Sequence, residues 1–228
     1  METTSSPNYT CPCNTKFSVT GTINHNLDDK QKKLIEMILQ NEGGYAWLKG
    51  DSGGETYRGI ARRYHKDWEG WGVVDRIKRE RGVSKLPNNM DIPEINHLVY
   101  DFYYNTYYVP MAIDSYEDIT MAALVFHRGI GMGSSNMGKL VVRAINRVTK
   151  KGLNEPESRK KPTAEEFAII NGDMKSQITE AFVMVAKERY KEIDDKKKAN
   201  NPNYPGYYNG WCNSIQKDID YVKKNFKA

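Results

Sequence analysis

The sequence predicts a mainly α protein with at most a small β-hairpin. Three observations carry that reading. Apolar residues recur at three- and four-residue spacing along most of the 228-residue chain. No strand-like alternation of useful length competes with them. Hydrophobic residues make up 39% and charged residues 28%, the balance of an ordered chain that can bury a core in one or two domains.

The elements follow in order. Residues 1–28 are polar and unpatterned, an irregular lead-in that closes on Asp28. Asp28 and Asp29 suit an N-cap and a first-turn acid. Leu34, Ile35, Ile38 and Leu39 then form a helix face that Glu42 continues, and Gly43-Gly44 is expected to stop the helix. Gly50 to Gly59 is rich in turn residues. Ile60–Trp68 and Trp71–Arg81 read as short helices. Pro93 opens a stronger helix, with Ile95, Leu98, Val99 and Phe102 on one face and Pro110 at its end. Ile119–Val125 reads as a helix broken by "RGIGMG". Met137, Leu140, Val141, Ala144, Ile145 and Val148 make the cleanest stripe. After a charged linker containing Gly152, Pro156 and Pro162 come two more, one from Met174 to Val185 and one from Trp211 to Phe226.

Composition excludes several classes. The net charge of +5 with pI near 8.9 favours acidic polymers such as nucleic acid, anionic lipid or bacterial wall without choosing among them. Cys11, Cys13 and Cys212 are odd in number and imply no disulfide framework. His25, His65, His97 and His127 lack ligand spacing, so neither a metal nor a cofactor is expected. No phosphate-binding or dinucleotide glycine pattern occurs. The opening "METTSSPNYT" has neither a basic start nor an apolar core, so no secretory signal is expected. No apolar run approaches a membrane span.

The chemistry-bearing stretch is "NEGGYAWLKGDSGGETYRGI", Asn41 to Ile60. A carboxylate at a helix C-terminus meets the negative end of the dipole, and Glu42 also lies on an apolar stripe. Both effects raise its pKa, and a carboxylic acid that stays protonated is what protonates a glycosidic oxygen. The other reading is a solvated glutamate ahead of a glycine cap. Gly43 and Gly44 are expected to leave room for a polymer beside the backbone. Asp51 suits a second carboxylate that activates water, or alternatively an Asx turn. Thr56 suits a hydroxyl that orients that water, or a plain strand residue. Glu55 is a rival carboxylate pointing the other way if the segment is extended. Tyr103 and Tyr107 are candidates to line a sugar cleft, or alternatively core or surface packing residues; Tyr204, Tyr207, Tyr208 and Trp211 are either core or glycan contact.

"NEGGY", then "DSGGET" and "GI", resembles the signature of the glycoside hydrolase family 108 lysozymes, with its Glu-Gly-Gly-Tyr and Gly-Gly-x-Thr-x-x-Gly-Ile elements. "YYNGWCNSI", Tyr207 to Ile215, resembles the Gly-Trp-x-Asn element of that family's C-terminal peptidoglycan-domain segment. The resemblance implies a lysozyme-like helical fold with a small hairpin near the active site. It divides the chain into a catalytic region, 29–115, and a helical peptidoglycan-domain region, 116–228. It implies a muramidase that cleaves the β-1,4 bond between N-acetylmuramic acid and N-acetylglucosamine. Glu42 matches the catalytic acid, Asp51 and Thr56 match in position, and Gly43, Gly44, Tyr45 and Gly54 fall within the substrate-facing motif. The alternatives are a lytic transglycosylase on the same bond and a non-catalytic wall-binding module. Tyr57-Arg58, "VFHRGIGMG", Cys212 and Ser214 depart from the family pattern.

The expected partner is therefore the peptidoglycan glycan strand, met by a monomer that neither binds nucleic acid nor inserts in membrane. Synthesis in the cytoplasm with action on the wall implies release through holin-type holes or delivery by a secretion machine. The second route implies an immunity protein.

Overall fold

The computed structural model describes residues 27–40, 42–47 and 54–226, together with the backbone pairing of 9–10 and 16–17. The fold is mainly α: eight α-helices and a three-stranded antiparallel sheet organise the described residues. The chain forms two compact units, Met1–Asn105 and Thr106–Ala228. Among the described residues no helix is long and apolar enough to cross a membrane.

In the first unit, part of the expected lead-in is ordered as a short antiparallel pair, β1 (Tyr9–Thr10) with β2 (Lys16–Phe17). Helix α1 (Asp29–Leu39) begins as its sequence requires. The Asp28 carboxylate accepts from the Gln31 amide at 2.8 Å, and the Gln31 side chain accepts from the Asp28 amide at 3.0 Å. Such reciprocal capping satisfies two amides that the first helical turn leaves without partners. Leu34, Ile35, Ile38 and Leu39 are all buried.

Strands β3 (Tyr45–Trp47), β4 (Glu55–Tyr57) and β5 (Ile60–Ala61) form the sheet, with Tyr45 opposite Tyr57, Thr56 opposite Ala46, and Tyr57 opposite Ile60. The helix expected over Ile60–Trp68 is thus absent. Arg58 and Gly59 take positive φ angles, 49° and 79°, and two such residues close a tight hairpin whose twist matches its strands. The chain leaves that turn paired to β4 instead of coiling. Helix α2 (Gly70–Arg81) follows and ends on Gly82, also left-handed. A 3-10 turn (Pro93–Ile95) leads into α3 (Asn96–Tyr103), where Val99, Tyr100 and Tyr103 are buried. The Tyr100 hydroxyl donates to Glu36 at 3.2 Å and ties α3 to α1.

The second unit is a helical cluster: α4 (Ile119–Met132), α5 (Met137–Thr149), α6 (Ala164–Ile170), α7 (Lys175–Asn200) and α8 (Tyr208–Asn225). Helix α7 packs on α5 and α8, and α8 on α4. Helix α4 does not break at "RGIGMG". A side chain at Gly129 would bring its Cβ to 2.2 Å from Met111 Sδ, so this glycine serves close packing within the helix. The turn comes at Gly133, with φ at 89°. The departures noted around His127 and Ser214 meet here. Arg128 and Asp218, both buried, pair at 2.6 Å, with His127 Nδ1 2.9 Å from Asp218 and Ser214 accepting from Arg128 at 2.9 Å.

Candidate active site

Helix α1 delivers Glu42. Its amide donates to the Leu39 carbonyl at 3.2 Å, so the chain is still turning as the helix ends. The carboxyl then lies against the β4–β5 turn. A Cβ on Gly59 would fall 2.9 Å from Glu42 Oε2 and 2.5 Å from the Tyr103 hydroxyl. Three parts of the chain distant in sequence therefore meet at this carboxyl: the end of α1, the 58–59 turn and the last residue of α3.

The surrounding groups hold one another. The Arg58 side chain is wholly buried, and its Nη1 donates to the Glu42 carbonyl at 3.1 Å. Its Nη2 donates to Asp91 at 2.8 Å, where the Asn96 amide also donates at 3.0 Å. The Tyr103 hydroxyl donates to the Arg58 carbonyl at 2.8 Å. Next to Arg58, the buried Tyr57 hydroxyl lies 2.6 Å from Asn96 Oδ1 and accepts from the Ile92 amide at 2.9 Å. Burial of a charged arginine is tolerable because a carboxylate and a carbonyl meet its donors.

Burial pushes the Glu42 carboxyl above its ordinary value of 4.5, and the nearby Arg58 charge works in the opposite direction with smaller effect. The direction agrees with the expectation from sequence, and burial is its leading cause. Glu55, the rival carboxylate, behaves oppositely. Burial alone would raise it, but hydrogen bonds from Lys78 and from Arg62 at 2.8 Å outweigh that and hold it below its ordinary range. It is a structural ion-pair member.

The remaining candidates distribute unevenly. Thr56 sits on β4, half-buried, and its hydroxyl donates to the Ala46 carbonyl at 3.4 Å. Asp51 lies outside the described residues. Gly43 and Gly44 were expected to leave room for a polymer, but the protein itself uses much of that room. A Cβ on Gly44 would lie 2.3 Å from the Met90 carbonyl oxygen, and one on Gly43 would lie 2.7 Å from Asn89 Oδ1. The close approach lets the Tyr45 amide reach Met90 at 2.9 Å and the Asn89 amide reach Tyr45 at 2.6 Å.

Tyr45 is fully buried beneath the sheet and is a core residue, not a surface for sugar. Tyr103 is likewise 2% exposed; its ring supports the site from behind and does not line a cleft. Gly54 has φ at 67°, and among the described residues a Cβ on it would meet nothing within 4 Å. Tyr107, in the second unit, is half-buried in the π-helical turn Tyr104–Tyr108, and burial raises its phenol. Arg58, Asp91 and Asn96 were not singled out as site residues. The one available signal was "YRGI", where an arginine beside a glycine occupies a tight hairpin.

The model of the Glycosyl hydrolase 108 family matches residues 35–133. That stretch holds Glu42, Thr56, Gly59 and Tyr103, and the "YYNGWCNSI" segment lies beyond it. Among solved structures, SagA of Brucella abortus superposes with a TM-score of 0.56 at 14% identity, over 87% of this chain and 97% of that chain. At that identity the likeness is one of fold. No curated protein matches.

Proposed function

We propose that this protein is a peptidoglycan hydrolase that cleaves the β-1,4 bond between N-acetylmuramic acid and N-acetylglucosamine. The family match over residues 35–133 supports a glycoside hydrolase. The observation that carries the catalytic reading is the Glu42 carboxyl, raised by burial and packed against the 58–59 turn. In this scheme Glu42 gives its proton to the glycosidic oxygen as the C1–O bond breaks. Positive charge then develops on the sugar ring. A second carboxylate, expected at Asp51, stabilises that charge or takes the proton of the attacking water, and the Thr56 hydroxyl orients that water. Arg58 and Tyr103 position the acid without touching substrate.

The test is purified wall incubated with the full chain, with the products read by mass. Muramidase action releases new reducing ends, each carrying one added water, and Glu42→Gln abolishes the release while the fold survives. Product with a 1,6-anhydro ring and no added water would make the enzyme a lytic transglycosylase. Absence of any release by the folded parent chain would reject the enzyme reading.

A further inference from the structure

A pocket in the first unit, about 490 Å³, opens beside the hairpin and is lined by Trp47, Gly54, Glu55, Arg62, Arg63 and Lys66. The register pairs Trp47 with Glu55 and Ala46 with Thr56, so successive pairs face opposite sides of the sheet. Trp47 and Glu55 thus point away from the face that Thr56 occupies.

Its lining is suited to a particular chemistry. Three of the charged groups are cationic and one is anionic, and the anionic one, Glu55, already accepts from Arg62 and Lys78. Arg62 is further held by both oxygens of Asp75, at 2.7 and 2.5 Å. Arg63 and Lys66, both exposed, line the same pocket beside these pairs. Trp47 stays 39% exposed although Lys78 Nζ lies 5.6 Å from its ring centre. An exposed tryptophan beside cationic side chains matches a sugar ring that carries an acid: the ring stacks and the acid is ion-paired. Gly54 lies at its edge, and among the described residues a Cβ there would meet nothing within 4 Å. A cavity of about 250 Å³ on the same unit, beside Trp68 and Phe102, is lined by Asp67, Glu69 and Asp101 and so disfavours the same ligand.

We propose that the Trp47–Arg63–Lys66 pocket is a second wall-contact site, which binds carboxylates of the peptidoglycan and retains the enzyme on its polymer from the side of the sheet opposite Thr56. The choice of peptidoglycan as the acidic, sugar-bearing polymer rests on the function proposed above.

The experiment measures binding without turnover. The full-length Glu42→Gln chain is co-sedimented with insoluble peptidoglycan stripped of phosphate polymers, with the unstripped wall, with the stripped wall after amidation of its carboxyls, and with chitin. Into that background go Trp47→Ala and the pair Arg63→Gln with Lys66→Gln. Trp47→Phe preserves an aromatic surface, and thermal melts check that each variant folds. The expected result is weakening of about tenfold or more on native peptidoglycan for the charge pair, equivalent to roughly 1.4 kcal/mol. Trp47→Ala should weaken binding similarly and Trp47→Phe much less. On amidated wall and on chitin the parent should bind weakly, and the charge pair should cause no further loss. Equal binding by folded variants and parent, or an equal loss on amidated wall, overturns the proposal. Dependence on these residues that appears only on walls still carrying phosphate polymers overturns it in favour of a phosphate ligand. The hydrolase reading fails separately, through absence of released ends from the chain with Glu42 intact, and that outcome leaves the binding result standing.

Discussion

Gly59 and Glu42 lie so close that no methyl group fits between them: a Cβ at Gly59 would sit 2.9 Å from Glu42 Oε2. The same added atom would sit 2.5 Å from the Tyr103 hydroxyl, and the backbone there has φ at 79°. Gly59→Ala therefore meets a conformational cost and a steric one together. The conformational part alone is about 1–2 kcal/mol for a residue with a side chain in the left-handed region. Thermal unfolding should show at least that loss. Wall lysis at a temperature where the variant is folded should fall steeply, because the carboxyl must move. Full activity in this variant would mean that the turn does not position the acid.

Glu42→Gln keeps the shape and removes the proton. General acid–base catalysis contributes roughly 10²–10⁴-fold to rate, so lysis should fall by that order. Thr56→Ala should cost less, since water can replace a hydroxyl in part, and Asp51→Asn should be severe if that residue handles the water. Rates of reducing-end release from purified wall give all three numbers.

The pH dependence has a definite sign. Glu42 must be protonated to act as the acid, and burial raises its folded-state pKa above 4.5. Activity should persist above the ordinary carboxylate range and decline as pH rises through the folded value. Stability linked to this group runs the same way: fully present below the unfolded pKa, lost as pH rises through the folded one. At neutral pH Glu42→Gln should melt no lower than the parent chain, and a melting series from pH 4 to 8 checks it.

Glu55→Gln should act on stability and not on the chemical step. Its folded-state pKa is held down by Lys78 and Arg62, so its contribution is present above the unfolded pKa and is lost as pH falls through the folded one. Removing the charge leaves Lys78, only 13% exposed, without its closest partner. The loss should be about 1.5–3 kcal/mol at neutral pH, the usual worth of hydrogen bonds to charged groups. Denaturant unfolding measures it, and the variant's rate per folded molecule should stay near that of the parent.

Tyr103→Phe removes the hydroxyl that donates to the Arg58 carbonyl. A stability loss of about 1 kcal/mol is expected for a buried hydrogen bond of this kind. Because the ring itself is buried, its contribution to substrate affinity should be small. The rate constant should fall while KM holds, whereas a sugar-lining tyrosine would show the reverse.

Much of the helical frame was legible because it rests on local chemistry. Asp28 and Gln31 cap α1 from three residues apart, and the stripes at 34–39 and 137–145 bury the residues that their period places on one face. Glu42 could be found in the same way, as a carboxylate continuing an apolar face. Local pattern failed where one turn's backbone conformation or a more remote segment decided the outcome. Ile60 joins a sheet because the Arg58-Gly59 turn returns it to Tyr57, and α4 runs through Gly129 because Met111 fills the space a side chain would need.

The sequence by itself determined where apolar faces recur, where helices can begin, and which acid stands at the end of α1. All of these follow from spacing within one or two turns of chain. Only the tertiary structure decided what surrounds that acid. Gly43 admits the Asn89 side chain and Gly44 the backbone at 89–90, Tyr45 and Tyr103 lie beneath the surface instead of on it, and buried Arg58 bridges Glu42 to Asp91. The physical reason is that desolvation and charge pairing depend on distance in space, and the residues that set them at Glu42 come from turns and helices up to some sixty positions away.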